Sequence, residues 1–231
     1  MEALIIVQAR MGSSRFPGKS MVELNGRPML WYLFHQLSFC RSNVMPILAT
    51  SDLPGDDVLA EYAESQGWRC FRGSEGDVLG RYHQAALAFG AEPETVVIRV
   101  TGDGILPDPH LIDAAIDLQI AFKGQVDCVF TAPGDVFPYG VYVAAFLFRA
   151  LERANREATD DYDREHVTPY FKKNPDLFPC LEIKPSRPIK GMPLPIDHPE
   201  DVSRIEAILL KLEESYSPPF TTANILETQE S

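Results

Sequence analysis

The chain has 231 residues, with 21 Lys and Arg against 33 Asp and Glu and a formal net charge of −12 at neutral pH. That length fits one large domain, and a composition that is 45% hydrophobic and 23% charged can bury a sizeable core. The acidic balance argues against a general nucleic-acid binder, which carries a basic face. No apolar run approaches the roughly 18–20 residues of a membrane span. The first residues lack the basic segment of a signal peptide. Cys40, Cys70, Cys128 and Cys180 are scattered without a C-x-x-C pair, which suggests neither a zinc site nor a disulfide framework. A reduced, cytoplasmic, globular enzyme is the class that fits.

Residues 3–8 (ALIIVQ) are a short apolar run suited to a central parallel strand covered on both faces. A helix is expected over 28–40, with Pro28 acceptable in its first turn, and a strand over 44–50. A second helix follows over 56–66, opened by Asp56 and Asp57 and closed by Gly67. Then come a brief strand at 69–72, a helix at 77–89, a strand at 95–101, a helix at 108–120 and a strand at 127–131. Strands alternating with helices of this length predict β-α-β units and an α/β fold, its mainly parallel sheet having helices on both faces. After Thr131 the rhythm changes. Residues 140–146 read as a strand, 148–158 and 163–173 as helices, 185–195 as an irregular connection, and 199–216 as a final amphipathic helix. One domain over 1–216 is expected, with 132–146 as an excursion on its acceptor or dimer side. The polar tail 217–231 is expected to fray.

The first loop, from Ala9 to Ser20, holds Arg10, Arg15 and Lys19 and no acid. Gly12, Ser13, Ser14 and Gly18 leave backbone amides open, so the loop reads as an anion cradle. Open parallel sheets bind ligands beyond the carboxyl ends of their strands, where this loop should lie. It is not a Walker P-loop: five residues rather than four separate Gly12 from Gly18, and a turn signal at Asn25-Gly26 follows soon after Lys19. The dinucleotide G-x-G-x-x-G pattern is missing as well.

Two acids are set apart. Asp103 follows a strand through a Thr-Gly turn, and Asp197 precedes the last helix. Magnesium takes one or two protein carboxylates plus phosphate oxygens and waters, so this pair opposite a phosphate loop fits it. Asp197 also reads as a helix N-cap. Asp52, Asp56 and Asp57 are assigned to loop and helix start, and His35, His83, His110 and His198 stand isolated. Arg72, Gly73 and Ser74 offer hydrogen-bonding groups for a base. Arg164 and His166 offer a cation and an imidazole for an acceptor, or else an internal ion pair at a helix start.

The segment Q-A-R-M-G-S-S-R-F-P-G-K (8–19) resembles the opening signature of the cytidylyltransferases that activate acidic sugars, the CMP-sialate and CMP-KDO synthetases and above all their spore-coat-polysaccharide branch. A-T-S-D (49–52), F-R-G-S-E-G-D-V-L (71–79), R-V-T-G-D (99–103), D-R-E-H-V-T-P-Y (163–170) and I-D-H-P-E-D (196–201) match that branch in order. The resemblance implies a nucleotide-diphosphosugar-transferase (GT-A-like) architecture, CTP, Mg²⁺, a sugar acceptor for surface polysaccharide synthesis and a homodimer. It implies that Arg10 and Lys19 hold the triphosphate, with Gly12, Ser13 and Arg15 in support. Gln8 and Ala9, with Arg72, Gly73 and Ser74, would line the base pocket. Asp103 and Asp197 would be metal-associated, Arg10, Lys19 and Asp103 catalytic, and Tyr139, Arg164 and His166 on the acceptor side.

The chain departs from the branch in two places. Gly104-Ile105-Leu106 replaces a Cys-Pro-Leu run, and Tyr142 and Ala144 stand where the branch carries a D-x-E pair. These changes bear on the acceptor pocket or the dimer-side wall and leave open a non-catalytic nucleotide-binding relative. Another nucleotidyltransferase, or a GT-A-type glycosyltransferase, is the further alternative. The latter is disfavoured because the turn Gly102-Asp103-Gly104 lacks a D-x-D motif.

Overall fold

A computed structural model of the chain describes residues 3–41, 43–132, 137–185 and 193–230. Seven strands form one sheet: β1 (Ala3–Gln8), β4 (Val44–Ser51), β5 (Arg69–Gly73), β6 (Val96–Thr101), β7 (Cys128–Thr131), β8 (Ala144–Leu147) and β9 (Cys180–Ile183), in the order β5-β4-β1-β6-β8-β7-β9. β8 runs antiparallel to both neighbours, and the other pairings are parallel. A small ribbon of β2 (Glu23–Leu24) and β3 (Arg27–Pro28) follows the first loop.

β1 is central and alternates between two cores. Ala3, Ile5 and Val7 face α1 (Met29–Leu37), α2 (Asp57–Ser65) and α4 (Pro109–Ala121). Leu4 and Ile6 face α3 (Val78–Ala88), α5 (Phe148–Glu157) and the short α7 (Thr168–Lys173). Helices on both faces therefore bury the whole apolar run, the architecture expected from the alternating pattern.

Three expectations are corrected. The helix expected over 163–173 is two: α6 (Asp161–His166) and α7, broken at buried Val167, which has φ 65° and ψ −67°. Pro169 explains the break, because its ring would clash with the carbonyl four residues back in a continuous helix. The tail does not fray. After α8 (Asp201–Ser215) it forms α9 (Thr222–Glu230), and Phe220 and Ile225 join the buried cluster beneath α8. The strand expected over 140–146 is shorter and later, because residues 138–141 are taken up by a turn closed by a Val141 amide to Pro138 carbonyl bond of 3.0 Å. Of the expected excursion and irregular connection, residues 133–136 and 186–192 lie outside the described residues.

Candidate nucleotide site

A cavity of about 400 Å³ opens beyond the carboxyl ends of β1 and β6. Gln8, Ala9, Arg10, Ser13, Arg15 and Lys19 line one side, Arg99, Asp103, Tyr139 and Asp197 the other, and Glu165 and His166 the rim. The first loop is tied down where it leaves β1. The Met11 carbonyl accepts from the Ser13 and Gly18 amides at 3.0 and 2.9 Å, and the Met11 amide donates to Asp56 Oδ1 at 2.7 Å. Buried Asp56 also accepts from the Thr50 hydroxyl, the Ser51 amide and the Ser51 hydroxyl. Burial by itself would raise its pKa, but the hydrogen bonds from Ser51, Met11 and Thr50 outweigh it and hold the carboxyl below its usual range. Asp56 is thus the anchor of the loop rather than a plain helix-start acid.

The two distant aspartates meet because their segments pair. Gly104 and Pro195 form an antiparallel bridge, and the Ile196 amide donates to the Asp103 carbonyl at 3.1 Å. Close approach on the other side needs Gly102: its amide donates to the Gln8 carbonyl at 2.7 Å, and a Cβ there would lie 2.6 Å from that oxygen. Gly140, at φ 103°, packs its turn on Leu194 and Pro195 and so carries Tyr139 above the pair. Partial burial first, then Asp103 and Asp197, push the Tyr139 hydroxyl up, against the opposing pull of Arg15.

Asp197 does not cap α8. The N-cap position of α8 is Glu200, which makes no side-chain cap bond; Asp201, in the first turn, instead pins the preceding segment, its Oδ2 accepting from the amides of Asp197 and His198, both at 2.9 Å. The Arg204 guanidinium, with those amides, holds the Asp201 carboxyl down at about 2. The Asp197 carboxylate is left facing the first loop, 3.0 Å from Lys19 Nζ and 3.5 Å from Arg15 Nη1. Arg10 pairs with Glu75 at 3.2 Å.

Not every expected residue reaches the cavity lining. Arg72 is engaged elsewhere, donating to the Ser51 and Leu53 carbonyls and pairing with Asp57 at 2.7 Å. Ser74 Oγ accepts from the Asp77 amide, and Gly73 and Gly12 also stand outside the lining. For Arg164, of the acceptor group and the internal ion pair, the structure shows the ion pair: it grips Asp77 through two bonds of 2.9 and 2.7 Å and donates to the Asn155 and Ala158 carbonyls. Arg99 and Glu165 line the cavity and went unnoticed in the sequence. For Arg99 the signal was present, since a cation inside the apolar run TVVIRVT is rarely buried without a use.

The two carboxylates facing a cationic loop have the donor set magnesium uses. Among the described residues no three acids, histidines or cysteines cluster as a metal cage.

A family model described as cytidylyltransferase matches residues 4–227. The spore coat polysaccharide biosynthesis protein SpsF of Bacillus subtilis is 32% identical over 216 residues, 91% of this chain and 87% of that protein. A 3-deoxy-manno-octulosonate cytidylyltransferase of Nitratidesulfovibrio vulgaris is 34% identical over 113 residues, 48% of this chain and 43% of its own length. The solved structure of a cytidylyltransferase from Leptospira borgpetersenii superposes with a TM-score of 0.87 at 27% identity, covering 100% of this chain and 94% of that one. The sheet is accordingly of the nucleotide-diphosphosugar-transferase type. The chain belongs to the cytidylyltransferase family and is a nucleotidyltransferase.

Proposed function

We propose that the protein transfers CMP from CTP to a hydroxyl of an acidic sugar and releases pyrophosphate, in the synthesis of a surface polysaccharide or glycoconjugate. One observation carries the reading: Arg10, Arg15 and Lys19 share a cavity with Asp103 and Asp197. The acceptor oxygen forms a bond to the α-phosphorus as the bond to the β-bridging oxygen breaks. The electron pair of that bond leaves with pyrophosphate, and the hydroxyl proton passes to solvent. Arg10 and Lys19 would neutralise the leaving group, Ser13 and the loop amides would orient the triphosphate, and Gln8 and Ala9 would flank the base. Gly12, Arg72, Gly73 and Ser74 lie outside the cavity lining and have no direct contact with the nucleotide in this reading. His166 and Tyr139 are the acceptor-side groups. Such catalysis rests on alignment and charge stabilisation.

Magnesium would be held by Asp103 and Asp197; when bound it supplies positive charge to the phosphate oxygens and lowers the pKa of a nearby hydroxyl. A reaction fed by CTP fits the cytoplasm, and the sequence resemblance implies a homodimer, which light scattering tests. The deciding experiment is a thermal-shift panel of CTP, UTP, GTP and ATP with Mg²⁺, followed by pyrophosphate release with acidic sugars. Stabilisation by CTP above the other three, and release with at least one acid, is the expected result. Equal response to all four nucleotides would sink the assignment.

A further inference from the structure

Behind the nucleotide cavity lies a second chamber of about 370 Å³, sharing Arg99, Thr101, Asp103 and Tyr139 with the first. Its remaining walls are mostly apolar, among them Phe137, Val141 and Tyr142. Arg99 stands on the shared wall. It projects from β6 and is only 9% exposed, and its Nε has no hydrogen-bond partner among the described residues. Its one side-chain bond is a long one, from Nη2 to Gln8 Oε1 at 3.5 Å. The residue directly opposite on β8 is Ala144, which offers no carboxylate. No ion pair to Arg99 occurs among the described residues.

A guanidinium buried this deeply is costly unless an anion faces it. Arg99 is a forked donor suited to a carboxylate. It borders the chamber that a second substrate would fill while touching the triphosphate at the shared wall. We infer that the second chamber seats the acceptor and that Arg99 binds the acceptor's anionic group, so that the substrate supplies the counter-ion absent among the described residues. The inference rests on the cytidylyl-transfer reading and adds to it a residue that selects the acceptor by charge. The apolar remainder of the chamber would cover a face of the sugar poor in hydroxyls.

The test uses the full chain with Mg²⁺ and α,β-methylene CTP, which cannot release pyrophosphate. Calorimetry measures 3-deoxy-manno-octulosonate and N-acetylneuraminate, each against its methyl ester. In the wild type at least one acid should bind at least about tenfold more tightly than its ester, the size of a charge-assisted bond lost. Arg99→Gln should abolish that preference and Arg99→Lys should restore part of it, each acid being compared with its own ester at saturating α,β-methylene CTP. Acid-over-ester selectivity does not report folding, so a merely structural arginine would leave it unmoved. No acid preference in the wild type, or a preference surviving in Arg99→Gln, overturns the inference. Failure of the nucleotide to bind the wild type would instead strike the underlying reading.

Discussion

Lys19 Nζ lies 3.0 Å from Asp197 Oδ1 and 2.9 Å from the Ile196 carbonyl, so the cation of the first loop is held by the acid that precedes the last long helix. The residues are 178 positions apart in sequence. Without substrate, each is the other's counter-ion. A triphosphate entering the cavity competes for Lys19 and frees Asp197, while magnesium alone must displace both Lys19 and Arg15. Calorimetry should therefore show magnesium binding at least about tenfold more tightly once CTP is present. Lys19→Met or Asp197→Asn should each lower pyrophosphate release about 10²-fold or more. Equal magnesium affinity with and without CTP would refute the exchange.

Asp56 gives a prediction with a pH sign. Its folded pKa is depressed, so its contribution to stability is present above the unfolded value near pH 4 and is lost as pH falls through the folded one. Asp56→Ala strands the Met11 amide and the Thr50 and Ser51 donors, at a cost of about 2–4 kcal/mol at pH 7. Urea titrations of Asp56→Asn and wild type should differ at pH 7, and the difference should begin to shrink only below about pH 4. CTP affinity should fall with stability, because the same carboxylate fixes the loop.

Arg164 belongs to the frame. Its two bonds to Asp77 complete the N-terminus of α3, where Asp77 Oδ1 also accepts from the Gly80 amide at 2.9 Å. Arg164→Ala should cost about 1–3 kcal/mol, and Arg164→Lys most of the same, because an ammonium cannot replace the fork. CTP affinity, read by calorimetry, should be unchanged. A large loss of affinity with normal stability would return Arg164 to the site.

Much of this was legible in the sequence where residue type and position impose one solution. ALIIVQ is apolar at every step but its last, so it must be covered on both faces. The helices expected over 77–89 and 108–120 match α3 and α4 to within one residue at each end, and Asp77 and Asp108 cap them, accepting from Gly80 and His110. The failures share a cause. Arg72 and Arg164 are cations in suggestive motifs, and sequence cannot tell whether carbonyls or a ligand will take a guanidinium. Asp56 looked like a helix-start acid because its partners, Met11 and Ser51, meet it only once β1 and β4 pair. Cys180–Ile183 was missed as a strand because it lies at the sheet edge, exposed on alternate residues, with no buried face to write an apolar run.

The C-terminal tail was misread for the same reason, and its docking is open to test. Its polar composition hides a small number of well-placed contacts. Gln36 donates to the Phe220 carbonyl at 2.7 Å and accepts from its amide at 3.0 Å, while Asp108 takes the Thr222 amide and hydroxyl at 2.8 and 2.7 Å. Phe220 and Ile225 then close the apolar cluster under α8. Because Gln36 lies on α1 and Asp108 caps α4, the tail ties two helices on one side of the sheet together. Ile225→Ala should cost about 2–5 kcal/mol, as for other buried aliphatic truncations. Removal of residues 217–231 should cost more, since it takes away the donors that Gln36 Oε1 and Asp108 Oδ2 accept from. Urea denaturation measures both, and a midpoint unmoved by Ile225→Ala would mean that α9 contributes nothing to the fold it closes.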